Sequence, residues 1–183
     1  EKADETIFAE ALAASGKSPV QLENVCFSYS DGVPVLRNVS FSVDAGEHVT
    51  IVGRTGAGKS TLFKLLLGFY APDDGKTSVF GAPSERIPDI LKRKLFGYVE
   101  QSFRPVPGSV ADQISAFDAS VSRAAVESAA RLVGIHETIV ALPAGYETLY
   151  SDGLFSQGQK QLLAIARAVV ADPAILLLGE ITA

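Results

Sequence analysis

A glycine-rich turn is the part of the sequence whose residue types and spacing are best suited to chemistry. Residues 53–60 read Gly-Arg-Thr-Gly-Ala-Gly-Lys-Ser, which fits the phosphate-binding pattern G-x-x-x-x-G-K-[ST]. Glycines let the backbone curl closely, so that successive N–H groups and the N-terminus of the next helix face an anion. The ammonium of Lys59 then reaches the β- and γ-phosphates, and the hydroxyl of Ser60 is a ligand for Mg²⁺. This phosphate-binding loop predicts that the chain binds a nucleoside triphosphate.

The segments on either side of the loop have the patterns that such a loop requires. Val49, Ile51 and Val52 predict a buried strand before it. Apolar residues at 62, 63, 65 and 66 predict a helix with one apolar face after it. A chance match to the pattern would lack these flanks. The predicted nucleotide-binding residues of this region are Gly53, Arg54, Thr55, Gly56, Ala57, Gly58, Lys59, Ser60 and Thr61.

Composition limits the class of protein. A chain of 183 residues suffices for one core with a small satellite subdomain, which is the arrangement we expect. The net charge of −5 argues against a general nucleic-acid binder, which normally has a basic face. The apolar runs are too short to span a membrane. The single cysteine, Cys26, excludes an internal disulfide and fits a reducing compartment.

The N-terminal half is predicted to be mainly β structure. Residues 1–19 are charged and alanine-rich, and we expect them to be a linker. Alternating apolar residues over 20–28 and 35–43 predict an antiparallel hairpin that turns at 30–32. Because a strand, the phosphate-binding loop, a helix and a further strand follow this hairpin, we expect a sheet that mixes antiparallel and parallel pairs. The other predicted elements are a strand over 77–80, a short helix over 88–95 and a strand over 96–101.

The C-terminal half begins with a helical pattern. Val110, Ile114 and Phe117 form one apolar stripe, and apolar residues at 126, 129, 130 and 133 form the next. We therefore predict an inserted helical subdomain over about 105–170. Its last helix, over 159–170, follows a glycine-containing turn. The apolar run 174–178 is expected to be a central parallel strand covered on both faces.

The second glycine turn distinguishes among the classes of enzyme that use a phosphate-binding loop. Residues 155–162 read Phe-Ser-Gln-Gly-Gln-Lys-Gln-Leu and lead into Ala-Ile-Ala-Arg-Ala. This signature segment (155–162) resembles the L-S-G-G-Q motif of ATP-binding cassette (ABC) ATPases. The order of parts also matches that family: aromatic residue, phosphate-binding loop, glutamine, signature segment, apolar strand and carboxylate. The resemblance covers essentially residues 20–183.

The resemblance implies an α/β fold. The family has a P-loop NTPase core with a mixed sheet, an antiparallel β subdomain and an inserted helical subdomain. Residues 20–183 would form this ATPase domain, and residues 1–19 would link it to an upstream transmembrane region. The family's D-loop and switch histidine would follow Ala183. We therefore expect the C-terminal part of the fold to be absent, which would leave an exposed sheet edge.

The resemblance also implies roles for particular residues. Tyr29 matches the aromatic residue that stacks on adenine. Gln101 matches the glutamine that contacts Mg²⁺ or the attacking water and relays the nucleotide state to a transmembrane partner. Glu180 matches the general base that polarises the attacking water. Gln101 and Glu180 are thus the predicted catalytic residues, and Ser60 and Gln101 are the predicted metal ligands.

In the signature segment, the resemblance assigns ATP binding to Ser156, Gly158 and Gln159. They would bind the γ-phosphate from a helix N-terminus, where the dipole favours an anion. In the family, this phosphate belongs to ATP held by the opposing subunit. Two copies, identical or different, would therefore close head to tail over two ATP molecules.

Two residues depart from the family pattern. Gly179 stands where the family has an aspartate that holds Mg²⁺ through its water shell, so the metal loses a negative partner. Gln157 replaces a glycine of the signature, and Ser156 and Gly158 on either side of it remain. We expect the first departure to impair Mg²⁺-dependent turnover while ATP binding survives.

The sequence therefore predicts the ATPase domain of an ABC transporter of the exporter type. It would lie at the cytoplasmic face of the membrane, with a transmembrane domain and a second ATP-binding domain as partners and without nucleic acid. Three alternatives stay open. The chain could be an importer ATPase on a polypeptide separate from its membrane domain. It could bind ATP with little or no turnover, because of Gly179 and the missing C-terminal part. It could also be a soluble ABC ATPase of DNA maintenance, although the compact region between Gln101 and Ser156 holds no long coiled-coil or zinc insert.

Overall fold

The computed structural model describes residues 18–30 and 32–179, which fall into two compact units. The first unit extends to Lys92 and the second begins at Arg93, so that the boundary falls within a short helix. The predicted linker over 1–19 lies almost entirely outside the described residues. Within the described residues, no helix has both the length and the apolar character needed to cross a bilayer.

The first unit is built on a four-stranded antiparallel sheet with the strand order β2-β1-β3-β4. The predicted hairpin is confirmed: β1 pairs with β2, and the N–H of Gly32 donates to the carbonyl of Tyr29 at 2.9 Å in the turn. The elements of this unit are β1 (Val20–Ser28), β2 (Pro34–Val43), α1 (Lys59–Leu66), β3 (Asp74–Val79) and β4 (Ala82–Pro83), with α2 (Asp89–Leu95) at its end.

A bulge explains how β1 buries its apolar residues. Leu22 and Val25 are both buried although they are three positions apart. The register shifts between them, and Asn24 has a φ of 49°. The extra residue restores the alternation, so that Phe27 also faces the core.

The predicted strand before the phosphate-binding loop is wrong. The structure assigns no strand to 49–52, and Val52 is 85% exposed. An apolar run becomes a strand only where a neighbouring strand supplies hydrogen-bond partners. The sheet of the first unit ends with β2 and β4 and gives this run no such partner among the described residues.

The second unit combines a helical cluster with a two-stranded parallel sheet. The predicted antiparallel and parallel pairs are thus both present, but they form separate sheets. The predicted helical region is confirmed, and each of three helices starts at a serine N-cap: Ser109, Ser122 and Ser156. The elements of this unit are β5 (Phe96–Val99), α3 (Val110–Ser115), α4 (Arg123–Leu132), α5 (His136–Val140), α6 (Gln157–Val169) and β6 (Ile175–Leu178).

Two expectations for the second unit are wrong. Phe117 is 59% exposed, because α3 ends at Ser115 and Ala116 adopts a positive φ that turns the chain away from the apolar stripe. β6 pairs in parallel with β5, as predicted, but it is not covered on both faces. Leu177 is buried while Leu176 and Leu178 are each 42% exposed, because successive side chains point to opposite faces and the described residues cover one of them.

Gly97 allows β5 to approach the end of α6. A Cβ atom at this position would collide with the carbonyl oxygen of Ala168 and lie 2.9 Å from Pro173 Cγ. We expect Gly97→Ala to lower the free energy of unfolding by about 1–3 kcal/mol, as overpacking does. Urea denaturation is the measurement. Gly153→Ala is the control, because its added Cβ would meet no atom within 4 Å, and it should change stability by less than about 0.5 kcal/mol. Equal stability of the two variants would contradict this packing.

Candidate nucleotide-binding site

The phosphate-binding loop (residues 53–60) has a backbone that only glycines accommodate readily. Gly56 and Gly58 have φ values of 83° and 92°, in the left-handed region. A Cβ atom on Gly58 would lie 2.8 Å from Leu36 Cδ2. Within the loop, the N–H of Ala57 donates to the carbonyl of Arg54 at 3.0 Å. The loop is exposed from Gly53 to Ala57, so that an anion can approach its backbone.

Lys59 places its charge across this loop. Its Nζ donates to the carbonyl oxygens of Gly53 at 2.6 Å and Arg54 at 3.2 Å. These carbonyls hold the ammonium over the turn that a phosphate would enter. Ser60, the next residue of α1, is exposed, whereas Thr61 is only 5% exposed.

Tyr29 lies against the same helix. Its hydroxyl forms a hydrogen bond of 3.0 Å with the hydroxyl of Thr61, and Lys64 Nζ lies 5.6 Å from the centre of its ring. Phe27 and Tyr70 both contact the ring edge-on, with their centroids 5.0 and 5.6 Å from its centre. The structure thus brings Tyr29 together with the predicted loop residues. Sequence reasoning missed Lys64 and Tyr70, whose approach to Tyr29 no local pattern reveals.

In the second unit, Gln101 and Gly179 follow neighbouring strand ends. Val99 and Leu178 are paired in the parallel register, and the N–H of Gly179 donates to the carbonyl of Val99 at 2.8 Å. A Cβ atom on Gly179 would lie 2.8 Å from that oxygen and 3.3 Å from the backbone nitrogen of Gln101. The structure therefore brings positions 101 and 179 together. Glu180, the predicted general base, lies outside the described residues.

The signature segment forms the start of α6. The hydroxyl of Ser156 accepts a hydrogen bond from the N–H of Gln159, and the side chain of Gln159 accepts one from the N–H of Ser156 at 2.9 Å. This reciprocal capping box was missed, although the spacing S-x-x-Q could have indicated it. Ser156, Gln157 and Gly158 are exposed. Since the first N–H groups of a helix have no partner within it, those of Gln157 and Gly158 can face an anion.

Comparison with models of protein families identifies the family of this chain. The ABC transporter family model matches residues 36–183. The chain belongs to the ABC transporter family. This confirms the resemblance drawn from the signature segment, and with it the P-loop NTPase fold class.

Relatives of this ABC domain come from bacteria, plants and animals. It is 42% identical to ABC transporter B family member 26, chloroplastic, of Arabidopsis thaliana, over 89% of this chain and 24% of that protein. It is 39% identical to the uncharacterized ABC transporter ATP-binding protein YfiC of Bacillus subtilis, over 89% of the chain and 27% of that protein. The human ATP-binding cassette sub-family B member 6 is 39% identical over 91% of the chain and 20% of its own length. The chain thus spans a fifth to about a quarter of these relatives.

A solved structure supports the exporter type. The structure of a bacterial Atm1-family ABC exporter with ATP bound has a TM-score of 0.81 to this ABC domain, at 36% identity, over 89% of this chain and 29% of that one. The sequence prediction of an exporter-type domain is therefore confirmed.

The residues of this ABC domain fit ATP better than they fit Mg²⁺. The positive-φ glycines and the ammonium of Lys59 form a cradle for phosphates. Mg²⁺, in contrast, is usually held by one or two carboxylates together with substrate phosphates. Among residues 18–30 and 32–179, no group of three or more His, Cys, Asp or Glu could hold a metal ion, and position 179 carries no side chain. Position 179 therefore offers no carboxylate to a magnesium ion.

The hydrogen bond between Tyr29 and Thr61 gives a test of this part of the ABC domain. Tyr29→Phe keeps the ring and removes the hydroxyl, so we expect the free energy of unfolding to fall by about 1 kcal/mol. Denaturant unfolding is the measurement. Tyr70→Phe is the control, because the contacts that the structure shows for Tyr70 are those of its ring. A Tyr29→Phe variant as stable as the Tyr70→Phe variant would show that the bond does not form.

Proposed function

We propose that the chain binds and hydrolyses ATP and couples head-to-tail pairing of two ABC domains to the movement of a substrate across a membrane. The observation that carries this proposal is the phosphate-binding loop, in which two positive-φ glycines and the ammonium of Lys59 converge on one exposed turn. A surface loop that binds no ligand would need neither the two positive-φ glycines nor the ammonium of Lys59. The affinity of such a cradle is for the phosphates, and Tyr29 adds an aromatic ring for the base.

Pairing is proposed because the family resemblance assigns the two anion-binding elements of one ATP site to different copies. The signature segment offers exposed N–H groups at the start of α6. In the proposed dimer, Ser156, Gly158 and Gln159 of one copy bind the γ-phosphate of ATP held by the other. The solved exporter relative that contains ATP supports ATP as the nucleotide.

Hydrolysis is proposed to use Glu180 as general base and Gln101 to orient the attacking water. Ser60 and Gln101 are the proposed contacts of Mg²⁺, which would enter with ATP. A transmembrane domain, on the same polypeptide or on a partner, would receive the movement. The proposed location is the cytoplasmic face of the membrane.

A comparison of two serine N-caps distinguishes an effect on ATP-dependent pairing from an effect on helix stability. Ser156 caps α6 and Ser122 caps α4 in the same way, each accepting a hydrogen bond from the backbone N–H of the third helical residue. Replacing either by alanine should cost about 1 kcal/mol of stability. We expect Ser156→Ala alone to weaken ATP-dependent dimerisation, by about tenfold or more, since a hydrogen bond to a charged group is worth about 1.5–3 kcal/mol.

The measurement is dimerisation of the full-length protein with and without ATP, by size-exclusion chromatography or cross-linking. Equal loss of pairing in Ser156→Ala and Ser122→Ala would contradict the proposed role of the signature segment. Unchanged pairing in both variants would do the same.

A second candidate function, ATP binding with little turnover, is favoured by the surroundings of Gly179. The position lacks the family's carboxylate, and the backbone of Val99 and Gln101 lies where a side chain would go. Nucleotide binding through the phosphate-binding loop does not require this position. The chain would then act as a regulatory module whose closure depends on ATP occupancy.

Paired substitutions at position 179 distinguish these two functions. Gly179→Ala introduces the close Cβ contact alone, and Gly179→Asp introduces the same contact with a carboxylate. If the missing carboxylate limits turnover, the aspartate variant should hydrolyse ATP at least about tenfold faster than the alanine variant, which corresponds to about 1.4 kcal/mol. Phosphate release over a range of Mg²⁺ concentrations is the measurement, with equilibrium ATP binding as the control. Equal rates would mean that Gly179 does not limit turnover.

A further inference from the structure

Arg167, in the last turns of α6, makes an unusual set of contacts. Its Nε donates to the carbonyl of Gln113 at 2.6 Å, and its Nη1 donates to the carbonyl of Arg104 at 2.9 Å. The guanidinium also lies over the ring of Phe103, 4.9 Å from its centre. Burial lowers the pKa of Arg167 from its usual value. A guanidinium nevertheless stays charged in proteins, so these carbonyls and the aromatic face stabilise a partly buried cation.

Gln113 extends this set of contacts to the backbone of Val106. Its side chain is fully buried, with an exposed fraction of 0%. The amide oxygen accepts from the N–H of Val106 at 2.9 Å, and the amide nitrogen donates to the carbonyl of Val106 at 2.7 Å. Arg167 and Gln113 together therefore hold the segment 103–106 through three backbone atoms.

Phe103 packs against the helical core, but packing covers this segment only in part. A cavity of about 330 Å³ adjoins it, lined among others by Phe103, Arg104, Val106 and Arg167. Where apolar contacts are interrupted by such a space, the position of the backbone depends on the remaining polar contacts. Lysine could not replace Arg167 here, because a single ammonium lacks the planar fork that reaches two carbonyls while stacking on a ring.

Segment 103–106 connects Gln101 with helix α6 through these contacts. It follows Gln101 closely in the chain, and its holder Arg167 belongs to the same 13-residue helix that begins at the signature segment. A helix of that length is about 20 Å long, and its backbone hydrogen bonds run without interruption from the signature segment to Arg167. A displacement of the segment after Gln101 would therefore act on α6 at Arg167.

We propose that Arg167 is a positioning residue that ties the segment after Gln101 to α6, so that the placement of Gln101 and the placement of Ser156 change together. The inference rests on the proposed function, because it assigns Arg167 a part in coupling between Gln101 and the signature segment. Arg167 itself contacts no nucleotide in this scheme. It acts through the backbone of Arg104 and, with Gln113, of Val106.

Arg167→Lys tests the proposal in the full-length protein. Because misplacement of a catalytic element by 1 Å can cost about 10²-fold in rate, we expect kcat for ATP hydrolysis to fall by at least about tenfold. The affinity for ATP, measured by equilibrium binding, should be unchanged, since the phosphate-binding loop is not altered. Arg131→Lys is the matched control: Arg131 lies on α4, is exposed and pairs with Glu127 at 3.2 Å. It should keep the parent kcat.

Three outcomes have defined meanings. A kcat equal to that of Arg131→Lys would overturn the proposal. So would a parallel loss of kcat, ATP affinity and melting temperature, which would indicate a purely structural arginine. If Arg167→Lys does not fold, Phe103→Leu removes the ring beneath the guanidinium but keeps both hydrogen bonds, and the same criteria apply to it.

A further variant separates this inference from the proposed function. Lys59→Ala removes the ammonium that spans the phosphate-binding loop. If this variant bound ATP as tightly as the parent protein, the proposed function would fail. If Lys59→Ala lost ATP binding while Arg167→Lys retained full kcat, only the role of Arg167 would fail.

Discussion

The functional part of the structure depends on one property of helices: their first N–H groups have no partner within the helix. The two anion-binding elements use this property differently. At α1, Gly58 in the left-handed region replaces a side-chain cap, and the charge of Lys59 supplements the N–H groups. At α6, the hydroxyl oxygen of Ser156 already accepts from Gln159, but its own proton remains available to donate to a phosphate. The first element thus presents N–H groups together with a positive charge, while the second presents N–H groups together with a hydroxyl.

The sequence predicted those parts of the fold that local patterns determine. The hairpin and helix α6 were found because alternation, helical periodicity and turn residues are encoded within a few residues. The run 49–52 and the outer face of β6 were misjudged for a common reason. Apolar composition shows that a segment can be buried, but hydrogen-bond partners and covering side chains come from distant parts of the chain. Leu176 and Leu178 are exposed because no distant side chain among the described residues covers them, although leucine is an apolar residue type.

The same distinction applies to the candidate site. The phosphate-binding loop and the signature segment are contiguous motifs, so their residues could be named from the sequence. The bond between Tyr29 and Thr61, the approach of Gly179 to Gln101 and the contacts of Arg167 join residues far apart in the chain. Sequence reasoning identified several of these residues singly but could not pair them. Gln113 gave no signal at all, since a buried glutamine is recognisable only from its partners.

Position 179 shows how one of these pairings constrains function. The hydrogen-bond ladder between β5 and β6 continues to Gly179, whose N–H donates to Val99. The continued ladder is what brings the backbone of Val99 and Gln101 within 2.8 and 3.3 Å of the place where a Cβ would lie. Any side chain at 179 would therefore require the backbone between Val99 and Gln101 to shift. Besides lacking a negative charge, the glycine permits the close approach of the backbone at Val99 and Gln101. The residue at position 179 and the backbone that leads into Gln101 therefore constrain each other.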